Sequence, residues 1–136
     1  MAVVEELLRA EADGTISFGN HVLENKAKAE DFEHMGDLYK VKTYKTMTKL
    51  ERNGMFVYES VPGTSVQNFS ENADNVSFRV EGSEDAQITI GLEEDTEYEV
   101  FVNEQSIGKM KTNLGGKLNV SVELAGAGEV NVKIIK

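Results

Sequence analysis

From Tyr98 to Val102 and again from Leu118 to Leu124, apolar residues recur at every second position. Tyr98, Val100 and Val102 are followed by Leu118, Val120, Val122 and Leu124, with Glu97, Glu99, Asn103, Asn119, Ser121 and Glu123 on the alternate positions. Successive side chains of a strand point to opposite faces, so this period of two predicts strands with one buried and one wet face. Phe101 falls on the polar side and breaks it. Asn103-Glu104-Gln105-Ser106 and Asn113-Leu114-Gly115-Gly116 read as turns, and Ile107 to Lys111 as the strand between them. Leu118 to Leu124 then reads as the core face of a central antiparallel strand.

The same reading extends back along the chain. Asp13-Gly14 is a hairpin turn signal that pairs a strand from about Val4 to Ala10 with one from Thr15 to Val22. Residues 24–31 are polar and fit a loop, an edge strand or one helical turn. Tyr39, Val41 and Thr43 alternate with lysines. Asn53-Gly54, two residues that accept positive φ, predicts a hairpin of Thr46 to Glu51 with Met55 to Ser60. Pro62-Gly63 interrupts the strand pattern. Beyond it, strands are predicted at about Ser65 to Phe69, Val76 to Val80, Ala86 to Leu92 and Glu129 to Ile135, and no segment is long enough for a packed helix. The expected architecture is all-β: an N-terminal β-hairpin unit over 1–61, followed by a small antiparallel immunoglobulin-like β-sandwich over 62–136. The sequence leaves open whether the two units pack as one domain.

Composition and charge narrow the partners. The 136 residues suffice for an independent core, and there is no cysteine to form a disulfide or a thiolate metal site. A net charge of −10 disfavours nucleic acid and anionic membranes, where affinity comes from Lys and Arg. The opening Met-Ala-Val-Val-Glu-Glu carries no basic or apolar run, so a cytoplasmic location is expected. Charge is also divided along the chain: Lys40, Lys42, Lys45, Lys49 and Arg52 cluster against Glu51 alone, whereas eleven acids from Glu71 to Glu104 face the single base Arg79. Complementary stretches in one chain predict a homo-oligomer.

Candidate chemistry is sparse. Asp31, Glu33, His34 and Asp37 offer oxygen and imidazole within seven residues, but without a second nearby histidine they read as a solvated loop. The acidic runs Glu84-Asp85 and Glu93-Glu94-Asp95 lack calcium-loop spacing. No nucleophile pattern or selected carboxylate pair is present, so no catalytic residue, cofactor or metal site is assigned. Tyr39, Tyr44, Phe56 and Tyr58, with Lys40 and Lys42, form the candidate interface or binding set. The aromatics fit a sugar-stacking face, a subunit interface or core.

The segments GLEEDTEYEVFVN, IGKMKTN, GGKLNVSVEL and VNVKII, covering about half the chain, resemble the small immunoglobulin-like sandwich modules appended to many carbohydrate-active enzymes. That resemblance implies a fold and a neighbourhood of polysaccharide chemistry. Through EELLRAEADGTISFGNHVL, ERNGMFVYES and KTNLGGKLNVSVEL the whole chain is similar to short Firmicute proteins that carry the label "endosialidase". Sialidase chemistry uses an arginine triad beside a tyrosine nucleophile on a propeller with Ser-x-Asp-x-Gly-x-Thr-Trp boxes. Here there is no tryptophan, and Arg9, Arg52 and Arg79 stand in no such context. The expected function is therefore non-catalytic, acting through self-assembly or protein binding, with a carbohydrate-binding module as the alternative.

Overall fold

Alternation in the sequence becomes thirteen β-strands and no helix in the computed structural model, which describes residues 3–136. The seven-stranded sheet runs in the order β1 (Leu8–Ala10), β2 (Ile16–Phe18), β7 (Ser65–Glu71), β8 (Asn75–Glu81), β13 (Val130–Ile135), β10 (Glu97–Val102) and β11 (Gln105–Lys111). The six-stranded sheet runs β12 (Lys117–Val122), β9 (Ala86–Gly91), β6 (Met55–Val61), β5 (Thr48–Arg52), β4 (Asp37–Thr43) and β3 (Ala27–His34). Among the described residues no helix is long and apolar enough to cross a membrane.

The inner faces of the two sheets pack on one another as a β-sandwich. Val76, Phe78 and Val80, Ile88 and Ile90, Leu118, Val120 and Val122, and Val130, Val132 and Ile134 are all buried, as their alternation predicts. Burial of each such side chain is worth about 1.5–3 kcal/mol, which makes this face the main source of stability. Its centre is aromatic: Tyr58 stands edge-on to Phe18 at 5.2 Å and to Phe78 at 5.7 Å between ring centroids.

These contacts join the two halves of the sequence. β6 pairs with β9, Tyr58 lying opposite Ile90, and β2 pairs with β7, Phe18 lying opposite Val66. Residues 1–61 and 62–136 thus contribute strands to both sheets and side chains to one core. Pro62-Gly63, read from sequence as a boundary, is where the chain passes from the six-stranded sheet to the seven-stranded one. A side chain at Gly63 would run into the Tyr44 carbonyl, so the crossing needs glycine.

Both expected N-terminal hairpins form. β5 and β6 turn through Asn53-Gly54, both at positive φ. The Asp13-Gly14 hairpin is shorter than expected, because Leu7 adopts a φ of 73° and its N–H closes a turn on the Val4 carbonyl. The polar segment 24–31 is resolved by β3, an edge strand with a bulge between Ala29 and Phe32. One placement differs: β12 is not central but an edge, hydrogen-bonded to β9 alone, while β13 lies between β8 and β10. Alternation reports which face of a strand is buried and carries no information about how many neighbours it has.

Candidate functional site

The outer face of the seven-stranded sheet carries a depression of about 550 Å³ over β8, β13 and β10. Its cross-strand row is Ser77 opposite Lys133 and Lys133 opposite Phe101. β11 carries one extra residue opposite the step from Val100 to Phe101, a β-bulge that increases local twist. Phe101 lies half-buried beside Ile135, with polar side chains on the rest of the face. Lys133 lies between that ring and Ser77, and Arg79 stands in the next row, opposite Asn131.

The polar wall is held in place by hydrogen bonds within the chain. Asn68 adopts a φ of 53° in the β7 bulge, its backbone N–H donating to Ser17 Oγ at 3.1 Å and its Nδ2 to Thr15 Oγ1 at 3.0 Å. Its Oδ1 accepts from Arg79 Nη2, while Arg79 Nη1 reaches Glu129 at 3.3 Å. Asn131 is fixed by its backbone N–H donating to Asn103 Oδ1 at 2.9 Å. Lys133 is exposed and has no ion pair among the described residues. The face therefore offers one aromatic ring beside Ile135, two amides, a guanidinium, an ammonium and the Glu104 carboxylate, a set that hydrogen-bonds hydroxyls and packs on C–H surfaces.

The structure does not gather the aromatic candidates into one face. Tyr58 is fully buried between the sheets, its OH 2.7 Å from Thr64 Oγ1, and burial pushes its phenol far above the ordinary range. It has no surface to offer a partner, which corrects its place in the interface set. Tyr39 likewise points inward. The cause is the bulge in β6: Leu50 pairs with Tyr58 but Glu51 with Phe56, so the intervening Val57 sends Phe56 outward. Phe56 is half-buried over Gly91, with Lys117 Nζ 4.5 Å above its ring, and Tyr44 lies in the β4–β5 turn with Lys26 Nζ at 5.7 Å.

Lys40 and Lys42 stand on the outer face of β4. Lys42 is directly opposite both Lys28 and Lys49, and like charges so placed are unfavourable, while Lys40 reaches Glu30 at 3.9 Å. The acidic stretch is partly neutralised within the chain: Arg52 bonds Glu71 at 2.5 Å, Lys136 bonds Glu93 at 2.9 Å and Lys111 bonds Asp95 at 3.1 Å. Asp85 caps a loop, its Oδ1 accepting the N–H groups of Leu124 and Ala125. His34 Nε2 meets the Gly14 carbonyl at 3.0 Å and Asp37 accepts from Asn53 Nδ2 at 2.9 Å, so that cluster is spent on turns. Among the described residues no three His, Cys, Asp or Glu converge as a metal site.

One contact combines a hydroxyl and an imidazole, Ser65 Oγ lying 2.7 Å from His21 Nδ1. Both residues are buried, Ser65 completely, so no substrate atom reaches the hydroxyl in this fold. Burial holds the His21 imidazole below its ordinary value, opposed by the Glu81 carboxylate. Sequence reasoning assigned no role to Phe101, although its signal was present as the one aromatic on the wet side of an alternating run. No family model, curated protein or solved structure matches this chain.

Proposed function

We propose that the protein is a non-catalytic β-sandwich that acts by binding, and that its ligand on the seven-stranded sheet is an oligosaccharide. The observation that carries this reading is Phe101, a half-buried ring that lines one depression together with Lys133, Asn131 and the Arg79 and Asn68 wall. A sugar presents an apolar C–H face and a rim of hydroxyls that both donate and accept, which is the complement of this surface. A purely apolar ligand would find too little enclosure here.

An open face with one ring and a few hydrogen bonds supports a Kd of about 0.1–1 mM for a short oligosaccharide. The test is an array of neutral and acidic glycans followed by NMR titration of the best binder. Shifts are expected at Ser77, Arg79, Phe101 and Lys133, and Phe101→Ala should weaken binding roughly three- to tenfold, the worth of one aromatic packing contact. Retention of no glycan, or shifts confined to another surface, would overturn the reading.

A further inference from the structure

The edges of the two sheets are not equivalent. β1 has only three residues, and β3 and β11 each carry a bulge, features that disrupt strand pairing with another chain. β12 has no such protection: its six residues run in unbroken register with β9. The Leu92 N–H donates to the Gly116 carbonyl, so the even-numbered residues turn their peptide groups toward β9 and Lys117, Asn119 and Ser121 turn theirs outward. Asn113 occupies the outward groups of Lys117, accepting its N–H at 3.0 Å and donating to its carbonyl at 3.1 Å. The outward N–H and C=O of Asn119 and Ser121 have no partner among the described residues.

The side chains on this edge lie flat. Thr89 Oγ1 donates to Asn119 Oδ1 at 2.5 Å and Gln87 Nε2 to Ser121 Oγ at 2.6 Å, tying both back to β9. The segment Lys117-Leu118-Asn119-Val120-Ser121-Val122-Glu123 is also complementary to its own reverse. Laid antiparallel on a second copy about Val120, Lys117 meets Glu123, Leu118 meets Val122 and Asn119 meets Ser121. Charge, inner-face packing and the outward peptide groups all agree in this single register.

We infer that β12 is a self-association edge whose occupant is β12 of a second copy, the two-fold axis passing through Val120. Asn119 of one copy and Ser121 of the other exchange both backbone bonds, and symmetry repeats the pair, joining two six-stranded sheets into one. Asn113 ends the ladder at Lys117, and the Lys117 side chain, swung from its place over the Phe56 ring, meets Glu123 of the opposite copy on the outer face. This interface is independent of the glycan reading, because it lies on the other sheet.

Sedimentation of the whole chain at about 100 µM, where an interface of micromolar affinity is occupied, should give twice the 15.0 kDa of one chain. Glu123→Lys, at an exposed position, sets like charges opposite one another at both ends of the ladder. It should weaken the dimer roughly tenfold, and Lys117→Glu added to it should restore association. Hydrogen exchange should show the amides of Asn119 and Ser121 gaining protection as concentration rises. A 15.0 kDa particle at this concentration overturns the proposal. So does a dimer in which those two amides stay unprotected, or one that ignores both charge reversals.

Discussion

Thr48→Val tests whether the buried hydroxyls between β4, β5 and the strand crossing hold the sheets together. Thr43, Thr48, Ser60 and Thr64 are all completely buried. The Asn20 N–H donates to Thr43 Oγ1 at 2.9 Å, and that hydroxyl, with one acceptor position filled, lies 2.8 Å from Thr48 Oγ1. Thr48 donates to the Thr64 carbonyl at 2.8 Å and accepts from the Thr64 N–H at 3.1 Å. Because a hydroxyl has a single proton, Thr48 is a donor to Thr64 and an acceptor from Thr43. Valine has the same shape and none of these bonds, so it strands the Thr43 hydroxyl, the Thr64 N–H and the Thr64 carbonyl at once. At about 1–3 kcal/mol for each of three buried groups left unsatisfied, the expected loss is about 3–9 kcal/mol, a large part of a typical total of about 5–15. Thr43→Val strands only the Asn20 N–H and should cost about 1–3 kcal/mol, while Thr48→Ser keeps the hydroxyl and should cost about 1. Urea denaturation of the four proteins, compared by midpoint at constant slope, measures the series. If Thr48→Val lost less than Thr43→Val, the proton assignment above would be wrong.

Val120→Asp places a charge at a position 1 % exposed, so melting followed by circular dichroism should show loss of the folded state or a drop of several kcal/mol; an unchanged melting temperature would mean that Val120 faces solvent. His21 is held below its ordinary value by burial, so the unfolded chain takes up a proton that the folded one refuses. Stability should fall as pH drops below about 6.5, and His21→Gln should flatten that part of the profile in denaturation series between pH 7 and 5. Glu11 is held low chiefly by its bond from Ser17 and then by Arg9, so a second loss of stability belongs below pH 4.5, present in Glu11 and absent in Glu11→Gln.

Local structure was legible in the sequence wherever one residue pair dictated backbone geometry. Asn53-Gly54 specified its hairpin, and the alternating triplets specified which side of β8, β9, β12 and β13 is buried. Pairing between distant strands was not legible, since nothing in the alternation of Leu118 to Leu124 tells an edge strand from a central one. The bulge at Val57 was equally silent: one extra residue reverses every later side chain, which sent Phe56 outward and Tyr58 inward against a reading that kept them together. The candidate site was half visible. Phe101 stood out of pattern, but Arg79 and Asn68 come from other strands and meet it only through the sheet.

The position of β13 has a consequence for how the chain is made. It is the last of the thirteen strands and yet lies inside its sheet, between β8 and β10. During synthesis the β3–β6 meander can form early from local contacts, but its inner face, with Val41, Leu50 and Tyr58, stays uncovered until much later strands arrive. At about 5–20 residues per second, the ribosome keeps this apolar surface waiting for several seconds. A premature stop before Val130 would remove the strand that joins β8 to β10, leaving two new unpaired edges and an open core. Such a product should aggregate rather than fold as a smaller sandwich.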